Sequence, residues 1–133
     1  MNRTEARKKI MTILYQIFLY ESNNIEYNTE DVIKESVTIE NDFVNSVVNG
    51  VLEYKNDIDK IANKHLNDWT IDRLGKTDQA ILRMGIYELV YTDTPEIVAI
   101  NEAIELAKEY SDEKVKNMIN AVLDSIYHGE ENE

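Results

Sequence analysis

Residues Asp78–Asp124 read DQAILRMGIYELVYTDTPEIVAINEAIELAKEYSDEKVKNMINAVLD, and this stretch decides the fold. Its apolar residues recur at helical spacing in three runs, separated by short polar breaks. In the first, Ile81, Leu82, Tyr87 and Leu89 leave almost no polar face. That predicts a central, buried helix over 78–91, capped by Thr77. Thr92–Pro95 turn the chain, and the fixed φ of Pro95 suits the start of the next helix. The second run, 96–110, carries Ile97, Ile100, Ile104 and Ala107. The third follows a Ser111 cap and lines Val115, Met118, Ile119, Val122, Leu123 and Ile126 along one side. Asn101 and Asn120 interrupt this patterning, which predicts buried, hydrogen-bonded struts. Arg83 is expected to pair with Glu102 or Glu105.

Outward from this block the same period continues. Ala6, Ile10, Ile13, Leu14 and Ile17 predict a helix from Thr4 to about Tyr20. Residues 22–28 read as a loop, and Thr29 as the cap of a short helix through about Val37. Glu40–Tyr54 carries Phe43, Val47, Val51 and Tyr54 in one stripe, with Gly50 placed to permit close helix contact. Ile58, Ile61 and Ala62 predict a helix over 57–65, and Trp69 reads as a semi-buried anchor in the connection that follows. The expectation is an all-α, compact single-domain bundle of about seven helices over residues 1–133, with a disordered acidic tail at 129–133.

The composition narrows the chemistry. There is no cysteine, and His65 and His128 stand far apart, so no disulfide, thiolate or metal-ligand pattern is present and no cofactor is expected. A glycine-rich phosphate loop and a helical HExxH pair are also absent. Glu102, Glu105 and Glu109 read as a solvated face, since a catalytic acid pair would need burial or close apposition. The chain is expected not to be an enzyme. No apolar run is long enough to span a membrane and no signal peptide opens the chain, which predicts a cytoplasmic setting.

The net charge of −12 argues against non-specific binding to nucleic acid. It is unevenly spread, because residues 1–20 hold Arg3, Arg7, Lys8 and Lys9 against Glu5 alone. A small basic end on an acidic body suits a confined nucleic-acid contact, or an acidic body that meets a basic protein; a solvated first turn is the plain alternative.

A signature emerges from residues spread over the whole chain. Ala6-Arg7 precedes Leu14-Tyr15; Asp78 precedes Ala80-Ile-Leu-Arg83 and Ile86-Tyr-Glu-Leu89. Ile100-Asn-Glu-Ala-Ile-Glu-Leu-Ala-Lys108 is the most specific block, closed by Asn120 and Val122-Leu-Asp124. In order and spacing these resemble the bacterial NusB family of transcription antitermination factors. The resemblance implies a non-enzymatic, all-helical adaptor, monomer or homodimer. Such an adaptor binds the boxA element of nascent ribosomal RNA with ribosomal protein S10, within an RNA polymerase elongation complex alongside other Nus factors.

By the same resemblance, Arg3, Arg7 and Lys8 are candidate phosphate contacts, with an intramolecular salt bridge as the alternative for Arg7. Lys114, Lys116 and Asn117 form a second candidate RNA surface, with Lys108 one helix earlier. Tyr15 and His65 are further RNA candidates that could equally pack or cap. Asp78 matches an acidic position associated with ribosomal protein S10, and Glu88 is its plausible companion. The chain departs from the pattern in its short arginine run and at Lys114, where some members carry an acid. It departs again at Met118 in place of Phe and Ala121 in place of Gly. Two other readings stay open: a protein-only adaptor, and a stand-alone relative of the N-terminal domain of an rRNA cytosine methyltransferase.

Overall fold

The computed structural model describes the backbone of residues 1–131 and the side chains of residues 1–129. Among them stand seven α-helices: α1 (Arg3–Ser22), α2 (Thr29–Ser36), α3 (Asp42–Glu53), α4 (Lys55–His65), α5 (Lys76–Tyr91), α6 (Glu96–Tyr110) and α7 (Glu113–Glu131). A 3₁₀ turn at Ile71–Arg73 joins α4 to α5. The expected acidic tail is helical through Glu131, and residues 132–133 lie outside the described part.

Helix α5 is the axis of the molecule. Every residue from Gln79 to Leu89 is buried, and α1, α3, α4, α6 and α7 all pack on it. A helix with no polar face must be enclosed, and five neighbours enclose this one. Helix α1 contributes Ala6, Ile10, Ile13, Leu14 and Ile17, each at most 1% exposed. Full burial of leucine and isoleucine side chains is worth roughly 1.5–3 kcal/mol apiece, so Ile10, Ile13, Leu14 and Ile17 tie α1 firmly into the core. Gly50 lets α3 lie against the Tyr87 ring, which joins Tyr54 and Tyr91 in a three-ring cluster with centroids 6.5 and 5.7 Å away, the other two rings stacking at 4.6 Å.

The helix starts differ from expectation in a consistent way. Asn2, Asn28, Asn41 and Asp112 cap α1, α2, α3 and α7, each accepting the backbone N–H three residues on at 2.8–3.1 Å. Asn28 takes the role given to Thr29, because it holds the extended backbone that a cap requires. Ser111 is replaced by Asp112, its hydroxyl being engaged by Asp78 on α5. Helix α5 starts after Gly75 without a side-chain cap, and Thr77 lies inside its first turn.

Two predicted struts are on the surface. Asn101 and Asn120 are exposed, because the buried stripes of α6 and α7 run elsewhere. On α6 the stripe is Ala99, Ala103, Leu106 and Ala107, whereas Ile97 is 68% exposed. Small residues permit the close approach of α6 to α5, and the larger isoleucines are displaced to the flanks. Trp69 is also exposed, with the Arg73 guanidinium 5.0 Å from its ring centroid. Arg83 binds the Asp59 carboxylate at 2.8 and 3.0 Å and Gln79 at 3.0 Å, since α4 rather than α6 runs beside it.

Candidate nucleic-acid interface

The first turns of α1 divide their cations between core and solvent. Arg3 is exposed, its guanidinium 4.4 Å above the Phe43 ring. Arg7, one turn later, is 3% exposed and bound fork-to-fork by Glu88, with Nε and Nη2 each donating at 2.8 Å. Glu102 adds a second carboxylate 3.6 Å from Nη1. Burial pulls the Arg7 pKa down, but the hydrogen bond and charge of Glu88, then Glu102, outweigh it and hold the guanidinium above its ordinary value. Glu88 is 2% exposed, and its carboxylate also lies 3.5 Å from the Thr94 hydroxyl. Two site expectations are corrected here. Arg7 is spent inside the protein rather than on phosphate, and Glu88 is its counter-charge rather than a partner contact. Leaving either one unpaired in the core would be costly, which is why the two are found together.

Lys8 points outward onto Glu109 of α6, at 3.1 Å, with both side chains about half exposed. Hydrogen bonding to Glu109, then its charge, raises the lysine pKa. Such a surface pair is weak and readily exchanged for another anion. The end of α6 brings Tyr110, 44% exposed, within electrostatic range of Lys8. Tyr110 is a residue that sequence reasoning missed. Its signal was position: it follows Leu106 and Ala107, the last buried pair of α6, so its ring overhangs the end of the packed stripe. Tyr15 is 39% exposed on the outer side of α1.

The α6–α7 joint is fixed by the Ser111 hydroxyl donating to Asp78. Asp78 is thus partly engaged within the chain and half-buried. Beyond the joint, Lys114 and Asn117 are exposed, while Lys116 is half-buried and 3.5 Å from Glu113. Lys108 is paired with Glu105 at 3.1 Å. His65 is separate from this group. Its Nδ1 lies 2.9 Å from the Ser125 hydroxyl, about 16 Å along α7 from Lys114. Lys8 therefore lies at the α6 end, with Lys114 in the first turn of α7 just beyond it; Arg3 and Tyr15 are exposed at other positions of α1, and His65 is an outlier. Among the described residues, no cluster of His, Asp and Glu is placed to hold a metal ion, and no helix is long and apolar enough to cross a membrane.

Five helices wrapped on the buried α5, with Arg3, Lys8 and Lys114 among the exposed cations, make an all-α bundle of the kind found in helical binding proteins. The NusB family model matches residues 4–128, and the chain belongs to that family of bacterial transcription antitermination factors. It is 41% identical over 128 residues to the transcription antitermination protein NusB of Macrococcus caseolyticus, covering 95% of this chain and 96% of the relative. The structure resembles T. maritima NusB with a TM-score of 0.83 at 28% identity, over 96% of this chain and 92% of that one. It also resembles a chain in a crystal structure of antitermination factors NusB and NusE in complex with dsRNA. There the TM-score is 0.77 at 28% identity, over 97% of this chain and 99% of the other.

Proposed function

We propose that this protein binds boxA-type RNA jointly with ribosomal protein S10, and that the pair acts on an elongating RNA polymerase. The observation that carries the reading is the edge where Lys8 pairs with Glu109 beside Tyr110 and Lys114 follows in the first turn of α7, with Arg3 and Tyr15 also exposed on α1. Cations there meet phosphate, and the two tyrosines offer rings on which unpaired bases stack. Lys116 and Asn117 extend that surface along α7, and His65 is a contact only for RNA long enough to reach the α4 end. The similar NusB–NusE–dsRNA assembly supports both partners. Asp78 serves the S10 side through the carboxylate capacity that Ser111 leaves open.

The test is a titration of fluorescent boxA-type RNA into the protein, with and without ribosomal protein S10, against a scrambled RNA. Selective binding that tightens with S10 is expected, and Arg3→Ala with Lys8→Ala should weaken it in both settings. If that double variant binds like the unaltered protein, the edge is not the RNA face. An S10 complex with no RNA selectivity would point to a protein-only adaptor.

A further inference from the structure

Lys8 does not reach α6 across a packed seam. Helices α1 and α6 each pack on α5 but scarcely on each other. A cleft of about 320 Å³ lies between them, lined by Thr4, Lys8, Glu102, Glu105, Leu106 and Glu109. Of those six only Leu106 is apolar. The cleft is made by two helical faces turned towards each other. Thr4, Arg7 and Lys8 stand three and four residues apart on α1, and Glu102, Glu105, Leu106 and Glu109 repeat that spacing on α6.

Polar side chains therefore hold the two helices at their distance, and they do so by two ties. At the rim, Lys8 Nζ meets the Glu109 carboxylate at 3.1 Å. Both side chains are about half exposed, so the tie is loose and a phosphate would exchange for it. Further in, one oxygen of Glu102, Oε1, accepts from the Thr4 hydroxyl at 2.9 Å and lies 3.6 Å from Nη1 of the buried Arg7. The Glu102 side chain is 23% exposed against 49% for Glu109, which shields this tie better from water. Arg3 adjoins Thr4 in the chain and Lys8 adjoins Arg7. Whatever holds Thr4 and Arg7 thus sets where both exposed cations stand.

We infer that Glu102 is a positioning residue for the RNA contact. Through Thr4 and Arg7 it fixes the first two turns of α1, so that Arg3 and Lys8 present their charges at set distances from the start of α7. The inference rests on the RNA reading proposed above. Its mark is the sign of the effect. A carboxylate that merely lies near bound phosphate repels it, so removing that carboxylate tightens binding. A positioning carboxylate behaves in the opposite way: its removal weakens binding although the charge has become more favourable.

The test is the titration of boxA-type RNA into variants of the full chain. Glu102→Ala and Thr4→Val are each expected to weaken binding about three- to tenfold, the scale of one hydrogen bond. Glu102→Gln keeps an acceptor for the Thr4 hydroxyl without the charge, and should bind at least as tightly as the unaltered protein. Affinity for ribosomal protein S10, titrated without RNA, should stay where it was. A double-mutant cycle supplies a readout that lost stability alone does not move. Lys8→Ala should reduce RNA affinity less in the Glu102→Ala chain than in the unaltered one, because Lys8 is no longer held in place. Thr4 is exposed, so Thr4→Val breaks the same tie without disturbing the core. The inference is overturned if Glu102→Ala binds RNA as tightly as the unaltered protein or more so. Unchanged affinity in Thr4→Val, strict additivity with Lys8→Ala, or a parallel fall in S10 affinity also overturns it. If the unaltered protein does not select the RNA, the RNA reading itself fails and takes the inference with it.

Discussion

Arg7 and Glu88 lie 81 residues apart in sequence and meet as a two-pronged ion pair sealed from solvent, with both contacts at 2.8 Å. Removing one member strands the other. Arg7→Ala or Glu88→Ala should each cost about 3–5 kcal/mol, read as a fall in the urea midpoint. Arg7→Met with Glu88→Leu should recover most of that loss. A single variant with unchanged stability would show that the pair is solvated in solution.

Gly50 is expected to tolerate no larger residue. A Cβ there would overlap the buried Tyr87 ring, which is stacked against Tyr54 and Tyr91 and so has little room to retreat. Gly50→Ala should cost about 1–3 kcal/mol, and Tyr87→Leu in the same chain should return part of it. Thermal melts of the single and double variants check this.

At the proposed RNA edge, the Lys8–Glu109 pair makes the carboxylate a competitor of phosphate. Glu109→Gln is predicted to tighten RNA binding about two- to fivefold at low salt. Arg3→Ala and Lys8→Ala should each flatten the plot of log affinity against log salt by about 0.7, the value for one contact to single-stranded RNA. A slope unmoved by either change would place the phosphates elsewhere.

Asp72 provides a pH prediction. A hydrogen bond from the Thr70 hydroxyl, aided by a backbone hydrogen bond and by the charges of Arg73 and Arg83, holds its carboxyl below the ordinary 3.8. Since the folded value is depressed, its contribution to stability is present above pH 3.8 and disappears as pH falls through the folded value. Thr70→Val should move the Asp72 titration, followed by carboxyl NMR, back up towards 3.8. No movement would mean that the backbone hydrogen bond and the flanking arginines set it.

The architecture was readable where large side chains mark the buried face. Ile81, Leu82 and Leu89 announced α5, and Ile10, Ile13, Leu14 and Ile17 announced the inner side of α1. On α6 the rule reversed. Close packing against α5 turns Ala99, Ala103 and Ala107 inward and leaves Ile97 outside, so side-chain size there does not mark the buried face and Asn101 lies at the surface. Caps slipped by one residue because Asn and Asp compete successfully with a neighbouring Thr or Ser. The cations of α1 carried no label of their own. Arg3, Arg7 and Lys8 look alike in sequence, and only the carboxylates of α5 and α6, far along the chain, decide which faces water.

That separation sets a clock for the newborn chain. Helix α1 leaves the ribosome with Ile10, Ile13 and Ile17 ready to bury, yet α5, which covers them, is made about 60–80 residues later. At translation speeds of about 5–20 residues per second the wait is roughly 3–16 seconds. Helices α2 and α3 arrive sooner and pack on α1, so they shelter part of that apolar surface in the interim. The residual face stays uncovered until α5 has been made.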